Sequence, residues 1–172
     1  MRLRPALPIA AAALALAACS PQNDDETTAA PTPSPTLTTQ PLPTAAPDGT
    51  PLAVGEWLVE ETGAGATATF REQTGGNALV LACDRASRTL SLNRAGSATE
   101  PQRFRITIGT QVADVMLAPG SELGLTAQVD RAQLIFAAFA DPAAIIAISG
   151  PGTMPLRLPG HPGISRVLAA CS

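Results

Sequence analysis

The sequence predicts an α+β, mainly β fold: an antiparallel sheet, either a sandwich or an open barrel, with two short helices. Two observations favour this class over residues 52–172. Apolar and polar residues alternate through most of that region, and glycine or proline turns separate the alternating stretches. A change of composition near residue 51 marks off this region, which is long enough for one domain.

The predicted strands follow the alternation in order along the chain. The clearest one places Phe104, Ile106 and Ile108 opposite the polar Arg103, Arg105 and Thr107. Residues 77–83 are apolar at nearly every position, which predicts a strand buried on both faces. The remaining strands are predicted at 57–60, 66–71, 89–93, 111–118, 123–129, 132–139 and 154–158.

Two helices are predicted after these strands. Asp141 and Pro142 are typical of an N-cap and a first helical position, which predicts a short helix over 142–148 that ends at the glycines of 149–152. A C-terminal helix is predicted to open at residues 161–162. Its apolar stripe has helical spacing: Ile164, Val167, Leu168 and Cys171.

The first 18 residues have the pattern of a secretory signal. Arg2 and Arg4 precede an apolar run over 6–18 that is broken by Pro8. This run of roughly 13 residues falls short of the about 20 that a membrane-spanning helix needs. Small residues, Ala17 and Ala18, end the run immediately before Cys19.

Leu16-Ala17-Ala18-Cys19 resembles the lipobox of bacterial lipoproteins. The resemblance implies cleavage before Cys19 and attachment of several acyl chains to that cysteine, which together anchor a protein to a membrane far better than one chain does. Ser20, in place of the aspartate that retains such proteins at the inner membrane, implies the outer membrane, facing the periplasm. The alternative is an ordinary signal peptide with a cysteine nearby.

Residues 19–51 are expected to form a lipidated, disordered tether. The segment is rich in proline, threonine and alanine and poor in large apolar residues, so it cannot bury enough surface to fold. Its reach lies between about 30 Å as a flexible coil and roughly 95 Å when extended. The alternative is that this stretch is itself a recognition motif or a glycosylation site.

If Cys19 carries lipid, Cys83 and Cys171 remain as an even pair. An exported protein meets an oxidising compartment, where such a pair predicts a disulfide, here between a strand and the C-terminal helix. A catalytic thiol is the alternative, but a nucleophilic cysteine needs a nearby base and the chain has a single histidine, His161. That histidine is interpreted as a loop or capping residue.

The inventory of side chains excludes several kinds of chemistry. The chain has no lysine for a phosphate loop, too few His and Cys residues for a zinc site, and no Gly-x-Ser-x-Gly nucleophile elbow. The near-balanced charge of the domain does not indicate a nucleic-acid partner. We therefore expect no cofactor and no enzyme activity.

Four arginines and an aspartate remain as candidates for polar contacts. Arg103 and Arg105 project from one face of a predicted strand and are candidate contacts for an anion or a partner carboxylate, the alternative being a solvated sheet face. Asp84 is followed by Arg85 and Arg88, which suggests a surface ion pair worth under about 1 kcal/mol.

The domain resembles small exported proteins of alphaproteobacteria, a group without an assigned activity. The likeness rests on residues 81–85, the Asp141-Pro142 pair and the tail 159–171, and on high alanine, arginine and proline content. Together with the lipobox, it leads us to expect a non-enzymatic envelope module that binds an envelope protein or supports an assembly. The alternative from another class is an inhibitor of a cell-wall hydrolase, similar to lipoproteins that inhibit lysozyme.

Overall fold

The computed structural model describes residues 42–120 and 124–172, so Cys19, the leader and most of the predicted tether lie outside the described residues. Eleven elements follow one another in the described region. They are β1 (Gly55–Glu61), β2 (Gly65–Glu72), β3 (Gly76–Asp84), β4 (Thr89–Ala95), β5 (Gln102–Ile108), β6 (Gln111–Pro119), β7 (Gly124–Val129), α1 (Leu134–Phe139), β8 (Ile145–Ser149), β9 (Leu156–Pro159) and α2 (Ile164–Ala170).

The nine described strands form one antiparallel sheet in the order β1-β2-β3-β4-β7-β6-β5-β8-β9. The sheet curls into a half-barrel, which confirms the mainly β prediction and selects the open-barrel arrangement over the sandwich. Hairpins join most neighbours, but β4 pairs with β7 across an intervening hairpin. The curvature places one face of every strand toward a common interior.

The interior is filled by the alternate side chains that the period-two pattern predicts. Phe104, Ile106 and Ile108 of β5 are all buried, as are Leu90 and Leu92 of β4. The prediction that residues 77–83 are buried on both faces is wrong. Val80 and Ala82 are half-exposed because α2 packs on the opposite, core face of β3.

The first helix lies elsewhere than predicted. Residues 134–139, predicted as part of a strand, form α1, and Ile135, Phe136 and Phe139 bury one helical face. A short apolar run cannot be assigned by periodicity alone, and here the i, i+1, i+4 spacing is helical. The predicted helix over 142–148 is wrong, because Ile145–Ser149 forms β8.

Local hydrogen bonding and side-chain shape explain why no helix begins at Asp141. The carboxylate of Asp141 accepts a hydrogen bond from the backbone N–H of Ala143 at 2.9 Å, which closes a turn. The β-branched residues Ile145, Ile146 and Ile148 follow, and they favour a strand. The Asp141-Pro142 pair therefore marks a turn that leads into β8.

The two outer strands of the sheet, β1 and β9, approach each other and form a seam. The indole Nε1–H of Trp57 donates to the carbonyl of Pro159 at 2.8 Å, and the backbone N–H of Ala53 donates to the carbonyl of Arg157 at 2.8 Å. Trp57 also meets Phe70 edge to face, with ring centroids 5.4 Å apart. The seam brings residues 51–53 beside the start of β9.

Residues before the predicted domain boundary at 52 belong to the folded part. Residues 44–52 form a turn in which the N–H of Leu52 donates to the carbonyl of Thr44 at 2.9 Å, and the carboxylate of Asp48 accepts from the N–H of Thr50. Leu42 packs against the core. Neither described helix is long and apolar enough to cross a membrane.

Candidate functional site

The predicted disulfide is present and closes one end of the half-barrel. Cys83 on the core face of β3 is bonded to Cys171 just after α2, with their Cα atoms 5.7 Å apart, and both side chains are buried. Ile164 and Val167 of α2 are buried with them, as the predicted stripe requires. The bridge therefore fixes a short helix to the second and third strands of the sheet.

His161 lies in the turn that precedes α2, whose N-cap residue is Gly163. Its ring is buried, and its Nδ1 accepts a hydrogen bond from the backbone N–H of Gly163 at 3.0 Å. Gly163 itself packs closely on Val59 of β1, where an added Cβ would lie 2.5 Å from a valine methyl group. His161 thereby shapes the turn that seats α2 against the sheet.

The residues after Cys83 do not form the predicted ion pair. The carboxylate of Asp84 instead accepts hydrogen bonds from the N–H and the hydroxyl of Ser87, both at 2.8 Å. The guanidinium of Arg85 donates to the carbonyls of Thr62 and Gly63 at 3.1 Å. Each group is held by a nearby turn rather than by its sequence neighbour.

Arg103 and Arg105 both lie on the outer face of β5, as predicted. Arg105 pairs across the strands with Asp114 of β6 through two hydrogen bonds of 3.0 and 3.3 Å, while its side chain stays 62% exposed. Arg105 is thus engaged within the chain. Contact of this patch with an outside anion remains a prediction.

Asp114 gives this patch a defined pH dependence. The hydrogen bond from Arg105 lowers the pKa of Asp114 below its usual 3.8, burial opposes this shift, and the charges of Arg105 and Arg103 add to it. A carboxylate with a lowered pKa stabilises the fold above its unfolded pKa. That stabilisation is lost as the pH falls through the folded value, so we expect the loss below about pH 4.

We expect Arg105→Met to return the pKa of Asp114 toward its ordinary value, because the main hydrogen-bond donor is removed. Titration of the Asp114 carboxyl carbon by NMR measures this shift. Arg103→Met is the matched control, and it should move the titration less because Arg103 acts on Asp114 through charge alone. An unchanged midpoint in Arg105→Met would contradict the assignment.

A buried arginine, Arg94, lies at the other end of β4 from the disulfide. It sits on the core face, facing Leu79 of β3 and Leu125 of β7 in the strand register, and is only 6% exposed. The alternation that buries Leu90 and Leu92 continues to Arg94, so period two places a charge in the core. The sequence interpretation stopped at Asn93 and missed it.

The guanidinium of Arg94 has little compensation within the described chain. Its Nη2 donates to the carbonyl of Met154 at 3.3 Å, its carbon lies 5.0 Å from the centroid of the Phe104 ring, and its buried Nε has no hydrogen-bond partner. Neither of the two ion pairs among the described residues includes Arg94. Burial lowers the pKa of Arg94, yet a guanidinium remains charged near neutral pH.

Arg94 lines a cleft of about 380 Å³, which we call the Arg94 cleft. The lining comes from residues 51–53, from the ends of β3 and β4 and from residues 154–157. Glu72 and Arg157 also line the Arg94 cleft, and Met154, 87% exposed, lies at its margin. The described residues hold no cluster of three His, Cys, Asp or Glu side chains suited to a metal ion.

A larger depression of about 940 Å³ lies on the outer face of the sheet. Small and hydroxylated side chains line most of it, among them Thr67, Ala82 and Ser91. The hydroxyl of Ser91 donates to the carbonyl of Ala82 within the sheet. Its larger volume favours this depression as a binding site, whereas the uncompensated charge of Arg94 favours the Arg94 cleft.

Comparison of the chain with protein-family models, with curated proteins and with solved structures finds no match. The function is therefore inferred from the chemistry of the sites described above.

Proposed function

We propose that this protein is a lipid-anchored module of the bacterial envelope, whose folded domain binds another envelope component without catalysing a reaction. In this proposal, Cys19 carries the lipid in the outer membrane, and the domain faces the periplasm. The observation that carries the binding function is Arg94, a charged side chain buried in the core beside a cleft.

Two features support the location. The lipobox-like residues 16–19 follow a basic, then apolar leader, as in bacterial lipoproteins. The Cys83–Cys171 bond is compatible with an oxidising compartment outside the cytoplasm, where such bonds persist. A proline-rich tether between Cys19 and the domain would let the domain reach partners at some distance from the lipid surface.

The cost of burying charge supports binding at the Arg94 cleft. A buried ionised group without a charged partner is unfavourable by several kcal/mol, even when a ring face and one hydrogen bond compensate it in part. Perturbed charges in clefts are typical of functional sites, which makes Arg94 a candidate for binding. The nearby leucines show that an apolar side chain suits this layer of the core.

In-cell crosslinking of the full chain tests the proposal. We replace Met154, at the margin of the Arg94 cleft, with the photoreactive residue p-benzoylphenylalanine, and expect capture of one discrete envelope component. The control places the same residue at Val112, which is 57% exposed on the outer face of β6. Identical capture patterns at both positions, or no capture at Met154, would contradict binding at this cleft.

The hydrolase-inhibitor alternative stays a prediction of the sequence. It requires that the purified protein inhibit lysozyme or a related cell-wall hydrolase. An inhibitor would also be expected to yield that hydrolase as the component crosslinked at Met154, so the same experiment addresses both hypotheses.

A further inference from the structure

We propose that the Arg94 cleft binds a carboxylate group carried on a short aliphatic body. This inference rests on the proposed binding function and names the chemistry that Arg94 recognises. A free aliphatic acid and the C-terminus of a peptide share that chemistry, and the experiment below distinguishes them.

The unused hydrogen-bond donors of Arg94 support this assignment. A guanidinium carries five N–H donors in a planar fork and is well suited to a carboxylate, which accepts two parallel hydrogen bonds. Within residues 42–120 and 124–172, Arg94 spends one donor, on the carbonyl of Met154 at 3.3 Å. That bond is long and the buried Nε has no hydrogen-bond partner, so the group has unused donor capacity.

The charge of the Arg94 cleft also favours a carboxylate. Arg94 and Arg157 contribute two positive charges, and Glu72 contributes one negative charge. The lining therefore carries one net positive charge, which matches a monoanion such as a carboxylate. A dianionic phosphate would exceed this charge and would stand near the carboxylate of Glu72.

The other lining residues and the volume of the Arg94 cleft favour a short aliphatic body on the ligand. Apolar and small side chains complete the Arg94 cleft, namely Pro51, Leu52, Ala53, Ala78, Pro155 and Leu156. They suit an aliphatic group attached to the carboxylate. The volume of about 380 Å³ lies near the lower end of the range for small-molecule sites, so the group that enters is small.

The test follows the Arg94 Nε–Hε signal by NMR in the full chain, purified in detergent micelles. We add sodium butyrate, N-acetylalanine, N-acetylalanine methylamide or sodium phosphate, each at the same ionic strength. We expect the carboxylates to shift the Arg94 signal with saturation, while the amide and phosphate do not. Arg131, an exposed arginine in the turn after β7, provides a signal that should stay unchanged.

The two sources of a carboxylate give different results. A tighter response to butyrate assigns a free aliphatic acid, and a tighter response to N-acetylalanine assigns a peptide terminus. Arg94→Met should weaken binding at least tenfold, and Arg94→Lys should weaken it less because it keeps the charge but loses the fork. Arg131→Met, the control, should bind as the unaltered chain does.

Several results would overturn the assignment: no shift with either carboxylate, an equal shift with phosphate or the amide, or unchanged affinity in Arg94→Met. The wild-type NMR titration decides the question even if the Arg94 variants fold poorly. Capture of a component at Met154 with no carboxylate response would leave the binding function in place and reject only the carboxylate.

Discussion

Replacing both Cys83 and Cys171 with alanine is expected to lower the free energy of unfolding by about 4.5 kcal/mol. The bond joins residues 88 apart, and closing so long a loop removes much of the conformational entropy of the unfolded chain. The double variant avoids the free thiol that a single replacement would leave. Urea unfolding, followed by the fluorescence of the single tryptophan, Trp57, measures the loss.

The same change should free α2 before the rest of the fold. This helix has seven residues, too few to be stable in isolation, and the disulfide is its covalent link to the sheet. Hydrogen exchange should therefore rise in α2 far more than in α1, which serves as the internal control. Reducing the unaltered protein with dithiothreitol should reproduce both effects. A stability loss below about 1 kcal/mol would contradict the structural role of the bond.

Trp57→Ala is expected to destabilise the fold by about 3–5 kcal/mol, as is typical for removing a buried aromatic side chain. Trp57 is 6% exposed, packs on Phe70 and holds the seam between β1 and β9 through its bond to Pro159. Loss of the ring would both leave a cavity and release the two edges of the sheet. Urea unfolding followed by far-UV circular dichroism measures the effect without tryptophan fluorescence.

Trp57→Phe separates the two contributions of this side chain. It keeps most of the packing but removes the N–H, so the carbonyl of Pro159 loses its partner, and we expect a loss of about 1–2 kcal/mol. Val54→Ala, at a position 51% exposed in the segment before β1, is the control and should change stability by less than about 0.5 kcal/mol. Equal losses in Trp57→Phe and Trp57→Ala would contradict the importance of ring packing at the seam.

The sequence was sufficient for the strands that alternate cleanly and for the cysteine pair. Phe104, Ile106 and Ile108 are buried as period two requires, and the even cysteine pair, in a chain expected to be exported, predicted the Cys83–Cys171 bond. The strand prediction depends on local spacing, and the disulfide prediction depends on the even number of cysteines that remain once Cys19 is set aside. The pairing of β4 with β7 depends on contacts between distant residues, for which a single sequence carries no local signal.

The errors have local physical causes. α1 was predicted as a strand because a short apolar run has the same composition in either state, and the helical spacing of Ile135, Phe136 and Phe139 was not weighed. At Asp141, the carboxylate caps a turn, so a helix signal preceded a strand of β-branched residues. Arg94 lies one residue beyond the predicted strand 89–93, in a strand that extends to Ala95.

The stability of Arg94 variants bears on the same point. Removing a residue that stabilises the fold should lower the free energy of unfolding. An uncompensated buried charge often lowers that free energy by being present, so its removal need not destabilise the fold. Because leucines flank Arg94 in the register, the site accommodates apolar neighbours readily. Arg94 departs from the apolar alternation that builds the surrounding core, as residues at functional sites often do.

Mass spectrometry of the protein recovered from the membrane of its native host tests the central claim, that an acylated Cys19 holds a disulfide-closed domain in the envelope. We expect the mature chain to begin at Cys19 with the mass of attached acyl chains, and a peptide pair joined through Cys83 and Cys171 before reduction. An unmodified Cys19, or Cys83 and Cys171 both recovered as free thiols, would contradict the account.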